Sequence, residues 1–452
     1  MRIVLKTMVS SLITMLLISM ARHEGVFASN DIKVVLHGER LQSVHSLIMK
    51  NDAVLVPFTD IFAALGFKVS YDPAAKSITG VNTNTDTVVN LTVNQKTARI
   101  NNMPYSLPSA PEIINGVTYV PLRFIGEAGN LEVKWYSGPK IVALYAKENL
   151  FPVSIGGKFG YINSQGKVII DYQTRFTDAY HFNEGLAIVY SGGKFAGFIN
   201  QQGKLVIPKD KYYDAKAFSE GLAAYRTLST ESKYGYMDLT GTSIITPQFN
   251  KANPFSEGLA AVQIGTKYGY INADGKVVIK ALYDSATDFS DGLALVSFQG
   301  KNLYLDKKGT VVVNANYSQA DSFHSGLAAV QKGSKFGFID KSGHLTIPAV
   351  YDAVHSFTEG LAAVKIDGKS GYIDPTGKQV IPFTFEAASD FHDGLAAAES
   401  QGKTGFINKA GEWVIAPSLS WAEPFHNGLS YAYSGDSEVY INQLGKIVWS
   451  QH

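Results

Sequence analysis

Apolar and polar positions alternate in short runs along most of the chain, and glycine or proline separates the runs. Such a pattern predicts many short β-strands joined by tight turns. Near the N-terminus, Asp31–Leu36 and Val88–Ile100 alternate as strands do. Two segments there read as short helices, Thr59–Gly66 and Arg123–Gly129, each opened by proline or a capping side chain and closed by glycine. Each helix is followed by two predicted strands: Phe67–Tyr71 with Ser77–Val81, and Leu131–Tyr136 with Lys140–Tyr145. Val56-Pro57-Phe58 recurs as Val120-Pro121-Leu122, and Val69-Ser70-Tyr71 as Val133-Lys134-Trp135, both at an offset of 64. Residues 31–146 therefore read as a small α+β domain with two related halves.

From residue 150 a different period takes over. A Gly-Leu pair stands at Gly185, Gly221, Gly258, Gly292, Gly326, Gly360, Gly394 and Gly428, with spacings of 36 and 37 and then a constant 34. A fixed period in this range marks a repeat array. Three residues before each of these glycines is a phenylalanine, from Phe182 to Phe425, and three before that a small residue such as Ala252 or Ala286. The second half of each unit reads Lys-aromatic-Gly-aromatic-Ile-Asp/Asn-x-x-Gly, as in Lys267-Tyr268-Gly269-Tyr270-Ile271-Asn272 ending at Gly275. Gly-Leu-Ala-Ala-Val and Lys-Tyr-Gly-Tyr-Ile predict paired strands, Asp/Asn-x-x-Gly a turn, and a Val-Ile run a third strand. The Tyr-x-x-Ala-x-x-Phe arm is compatible with a short strand, an irregular segment or a helical turn. Residues 150–452 hold about nine such units. Of the 42 glycines, 34 fall in this region, so turning and close packing account for the glycine excess.

Arg2 and Lys6, an uncharged apolar run from Met8 to Met20, and Val26-Phe27-Ala28 form the three-part pattern of a secretory signal peptide over residues 1–28. The apolar run is shorter than the roughly 20 residues a membrane-crossing helix needs. No later stretch is long and apolar enough to span, so no transmembrane segment is expected after signal removal. Removing residues 1–28 takes away Arg2, Lys6, Arg22 and Glu24 and leaves a net charge of −1. That balance gives no sign of a nucleic-acid partner. The chain has no cysteine, which excludes disulfides, thiol catalysis and Cys-ligated metals.

The block Val120-Pro121-Leu122-Arg123-Phe124-Ile125 with Val133-Lys134-Trp135, and its looser copy at Val56–Tyr71, resembles the copper amine oxidase-like N-terminal domain of exported bacterial proteins. The looser copy lacks the arginine and the tryptophan. This resemblance implies an exported, non-catalytic accessory module, because in the oxidases the copper and the modified tyrosine belong to a separate domain. Residues 150–452 resemble the WG-repeat family. The tryptophan of that family's name is replaced at Phe159, Phe195, Tyr234, Tyr268, Asn302, Phe336, Ser370 and Thr404, so a ring-based ligand site would be uneven along the array.

The expected fold class is mainly β: the α+β domain, then an all-β repeat array. The first unit lacks its arm and starts at Phe151. The last has drifted, with Trp421, Val439 and Trp449. Atypical end units favour an open superhelical array with caps. A closed β-propeller is the alternative, although propellers usually have 4–8 blades.

Candidate chemistry is sparse. His37 and His45 lack a metal-ligand pattern and read as surface residues. The acidic column Glu184, Glu220, Glu257, Asp291, Glu359 and Asp393 reads as a solvated turn position, since a catalytic pair needs distinct environments. His324, His392 and His426 occupy a column where Ser256 or Ser290 stands elsewhere, and their alignment could bring His392 and His426 together. No catalytic, cofactor-binding or metal residue is assigned, and no cofactor is expected. The expected function is that of an exported binding protein of the cell envelope, secreted or wall-associated. Wall polymer, glycan or a surface protein would be its partner. A structural spacer and a glycan- or peptide-acting hydrolase are the alternatives.

Overall fold

The computed structural model describes residues 27–29, 32–42, 45–50, 53–173, 175–209, 212–227, 232–315 and 317–451. The signal segment expected over 1–28 lies outside these residues except for its last two, which begin the strand Phe27–Ser29. The chain divides into two compact units, one formed by residues 1–32 and 42–129 and one by residues 33–41 and 130–452.

In the first unit, Ala53–Pro57 pairs with Val117–Pro121 at the centre of a five-stranded sheet. Each of these strands runs directly into a helix, Phe58–Ala64 and Leu122–Ala128. Pro57 and Pro121 occupy the cap positions, and no side chain caps either helix. The two helices stand 64 residues apart, as the duplicated sequence predicts. The left-handed residue that ends each helix differs: Gly66 with φ +80° in one copy and Asn130 with φ +53° in the other. Phe62 is fully buried and touches the rings of Phe58, Phe67 and Phe124. The predicted strand over 88–100 is two strands, Thr87–Thr92 and Thr97–Ile100, because the chain turns at Asn94 with φ +64°. With Lys68–Asp72, Ser77–Asn82 and Met103–Ser106 they form a second five-stranded sheet.

The second unit carries the other helix-following hairpin, Leu131–Tyr136 with Ile141–Ala146. Lys33–Leu36 adds to it in parallel. Val35, Ile141 and Ala143 share a core with Leu186, Phe198, Phe218 and Met237 of the repeats. Asn200 donates its amide to the His37 carbonyl at 3.0 Å, and the Lys33 ammonium reaches the fully buried Asp238 carboxylate at 2.7 Å. By contacts, this sheet therefore belongs with the repeats.

Residues 151–450 form nine successive sheets among the described residues. Sheets two to nine have four antiparallel strands in chain order, and sheet one has three. Sheet five is typical: an arm strand Ser285–Ala286, then Leu293–Phe298, Lys301–Asp306 and Val311–Ala315. The arm, ambiguous in sequence, is a two-residue strand followed by an irregular run to an isolated bridge, Ser290 with Leu293. Between those bridge partners, Asp291 (φ +54°) and Gly292 (φ +82°) form a two-residue turn with both φ values positive, the geometry of the favoured hairpin loops. The glycine in Lys-aromatic-Gly serves a different need: a Cβ at Gly269 would stand 2.5 Å from the Ile279 carbonyl oxygen of the sheet's last strand.

No sheet among the described residues closes into a barrel, and the mainly β class expected from sequence holds. Between the two array arrangements, the contacts at the ends select the closed one. Up to three contacts link each sheet to the next, the first of them absent where the ring is Phe198, Phe338 or Phe406. The buried tyrosine of one unit donates to the next arm, as Tyr270 to Thr287 O at 2.8 Å and Tyr304 to Asp321 O at 2.6 Å. The same ring packs on the next arm's phenylalanine, as Tyr304 on Phe323 at 4.7 Å. The turn glycine abuts the preceding sheet, as Gly309 against Ile279. All three recur between sheet nine and sheet one: Tyr440 donates to Pro152 O at 3.0 Å, packs 5.7 Å from Phe151, and Gly166 abuts Val448. Phe151, Val153 and Ile162 share one apolar core with Leu429, Tyr440 and Trp449. The expectation of an open array follows from the drift of the end units and from a count of nine, above the usual 4–8 blades. That drift has another cause. Sheet one lacks an arm, and Phe151, at a strand position where unit four has Ala260, supplies the missing ring.

Candidate functional site

The arms carry the candidate site, because they present short polar side chains that the core does not absorb. The acidic column joins neighbouring units. Each carboxylate accepts a hydrogen bond from the Gly-Leu glycine of the following unit: Glu184 from Gly221, Glu220 from Gly258, Asp291 from Gly326 and Asp393 from Gly428, at 2.6–2.9 Å. Glu257 does the same to Gly292 at 3.1 Å and Glu359 to Gly394 at 3.2 Å. Lys307 and Lys409 pair with Glu257 and Glu359 at 3.0 Å. Burial would raise the Glu359 carboxyl, but the Lys409 ammonium and the Gly394 N–H outweigh it and hold it below its usual value. These acids are the first central residue of a left-handed turn, where a side chain is strained. The bond to the next unit offsets that strain.

The serine column is a second inter-unit ladder. Ser219, Ser256 and Ser290 donate to the carbonyls of Phe255, Phe289 and Phe323 at 2.6–2.7 Å. Thr358 stands in the same column with its hydroxyl buried and unpartnered. His392 and His426, aligned by the sequence, do meet, with ring centroids 5.2 Å apart. His181 belongs to the same neighbourhood: burial first, and then His426, lower its pKa. His355, which sequence reasoning passed over, hydrogen-bonds Asp390 at 3.1 Å and is raised by that bond against the opposing effect of burial. A signal for it existed, since His355 and Asp390 lie 35 residues apart, about one repeat.

The first-aromatic column makes no row of exposed rings, since Ser370 is buried. His37 and His45 fall in different compact units. His45 is exposed near Asp60, whereas His37 is half-buried and burial lowers its pKa. No group of three or more potential metal ligands occurs among the described residues.

The arms of sheets four to six open onto a recess of about 580 Å³. Asn253, Ser256, Thr287, Asp288, Ser290 and His324 line it. Asn253 donates its amide to Asp288 at 2.9 Å, and Ser322 donates to Thr287 at 3.3 Å. Beneath the lining, Tyr236 and Tyr270 donate to the carbonyls of Asn253 and Thr287. Burial, with a further contribution from Asp288, pushes both phenols up, so they stay protonated donors.

A serial β-repeat array behind a small α+β module is the class these features define. A family model for the WG containing repeat matches eight segments between residues 159 and 434, more than half of the chain. The chain belongs to that family. A model for the copper amine oxidase N-terminal domain matches residues 35–144. Among solved structures, a eukaryotic initiation factor is 11% identical over 68% of this chain and 96% of its own, with a TM-score of 0.50, which is a likeness of fold alone. The extracellular domain of the one-component system BT4673 from B. thetaiotaomicron is 10% identical over 94% of this chain and 71% of its own, at a TM-score of 0.28. No curated protein matches. No helix among the described residues is long and apolar enough to cross a membrane.

Proposed function

We propose that this protein is an exported, non-catalytic binding protein of the cell envelope that presents its repeat array to wall polymer, glycan or a surface protein. The observation that carries this reading is the division of labour in the arms. Acids and serines are committed to joining units, while a polar recess is left open above them. The signal-peptide pattern over residues 1–28 supports export. The spacer reading requires ends far apart, and the 3.0 Å bond from Tyr440 to Pro152 counts against it. The hydrolase reading requires a free carboxylate pair, and the bonds that Glu257 and Asp291 make to the following glycines count against that.

Retention of the purified chain on isolated cell wall and on extracted surface proteins tests the proposal. Binding to either is expected, and retention by neither refutes it. A hydrolase screen that finds turnover lost on substitution of Glu257 and Asp291 would overturn the non-catalytic part.

A further inference from the structure

We propose that the recess between the arms of sheets four, five and six is a binding site for a cationic nitrogen group, an ammonium or guanidinium with several N–H donors. This deepens the binding reading above and rests on it, but its test uses purified protein alone.

A carbonyl oxygen only accepts, so the hydroxyl protons of Ser256 and Ser290 are spent on Phe289 O at 2.7 Å and Phe323 O at 2.6 Å. A carboxylate only accepts, so Asn253 turns its NH2 to Asp288 and keeps its oxygen unengaged among the described residues. Ser322 gives its proton to Thr287, and Thr287 gives its own to the Asp288 carbonyl at 3.1 Å. In the long 3.5 Å contact between Ser290 and His324 Nδ1, the serine proton is already used. Nδ1 is then the donor there, and in that neutral tautomer Nε2 is an acceptor. The lining side chains therefore offer lone pairs and almost no protons.

One full charge stands among them. Asp288 has no ion-pair partner among the described residues. An anion would be repelled by that carboxylate, and a neutral polyol would find acceptors but few donors for its own oxygens. An ammonium brings three donors and a guanidinium five, and charge-assisted bonds are about twice as strong as neutral ones. The volume of about 580 Å³ lies inside the usual range for small-molecule sites, roughly 300–1,000 Å³.

Titration calorimetry on the whole purified chain tests this with four probes: agmatine, glucosamine, N-acetylglucosamine and glucose. Glucosamine and its acetylated form differ chiefly in the cationic nitrogen. At least one of agmatine and glucosamine is expected to bind about tenfold or more tightly than N-acetylglucosamine and glucose, a difference of about 1.4 kcal/mol. Asp288→Asn, close in shape, is expected to lose about tenfold in that affinity with an unchanged melting temperature. Tighter binding of glucosamine would identify an amino sugar, and tighter binding of agmatine a basic peptide side chain. Equal binding of N-acetylglucosamine, full affinity in a folded Asp288→Asn variant, or no binding of either cation at about 10 mM would each overturn the proposal. If that variant does not fold, the comparison of glucosamine with its acetylated form decides alone. No wall or partner protein is present, so failure here is separate from failure to bind the envelope.

Discussion

Phe151→Ala probes the junction between the first and last sheets. Phe151 is 2% exposed and lies in one core with Val153, Ile162, Leu429, Tyr440 and Trp449. Truncating a buried phenylalanine to alanine costs about 3–5 kcal/mol, the removed contacts plus the cavity left behind. The loss should appear on both sides of the junction, because the ring faces Tyr440 of sheet nine at 5.7 Å. Amide exchange read by mass spectrometry resolves this. A loss of about 3 kcal/mol lowers protection by roughly two decades in peptides covering 151–173 and 429–450, with the middle sheets little changed. A loss confined to sheet one, or a cost below about 1 kcal/mol of the kind expected for an exposed terminal ring, would refute the reasoning.

Three further outcomes are expected. Thr358→Ser should place a hydroxyl where Ser256 and Ser290 donate to the following unit, raising stability by about 0.5–1.5 kcal/mol in urea unfolding. Gly269→Ala should cost about 2–3 kcal/mol in the same assay, because its Cβ would press on the Ile279 carbonyl. Asp390→Asn should move the His355 titration to lower pH by NMR. The His355 pKa is raised in the folded chain, so its stabilising effect is present below about 6.5 and is lost as pH rises through the folded value. The variant should lack that pH-dependent loss.

The repeats were legible because each column has a local cause. Asn272 accepts from the backbone N–H of Asp274 and Lys276, as an Asx turn does, and Gly275 takes φ +78°. Both can be read within one unit. The closed array was not legible. Phe151 replaces an arm ring by a side chain on a different strand, and no periodic column displays a substitution of that kind. The acidic column was visible, but its role was not: Asp291 reads as a turn residue alone, and its partner Gly326 lies in the next unit. The recess was missed for a related reason. Asn253, Asp288 and His324 occupy different columns in different units, so their juxtaposition exists only after the arms line up.

The nine units meet end to end through the contacts that join neighbours. Spin-label distances test this directly, and a chain without cysteine accepts labels only where cysteine is introduced. Gln165, Ala410 and Leu444 are exposed and occupy the same turn position in units one, eight and nine. The pair at Gln165 and Leu444 should give a distance distribution close to that of the adjacent-unit pair at Ala410 and Leu444. A Gln165–Leu444 distance far beyond that of the neighbouring pair would contradict the closed array.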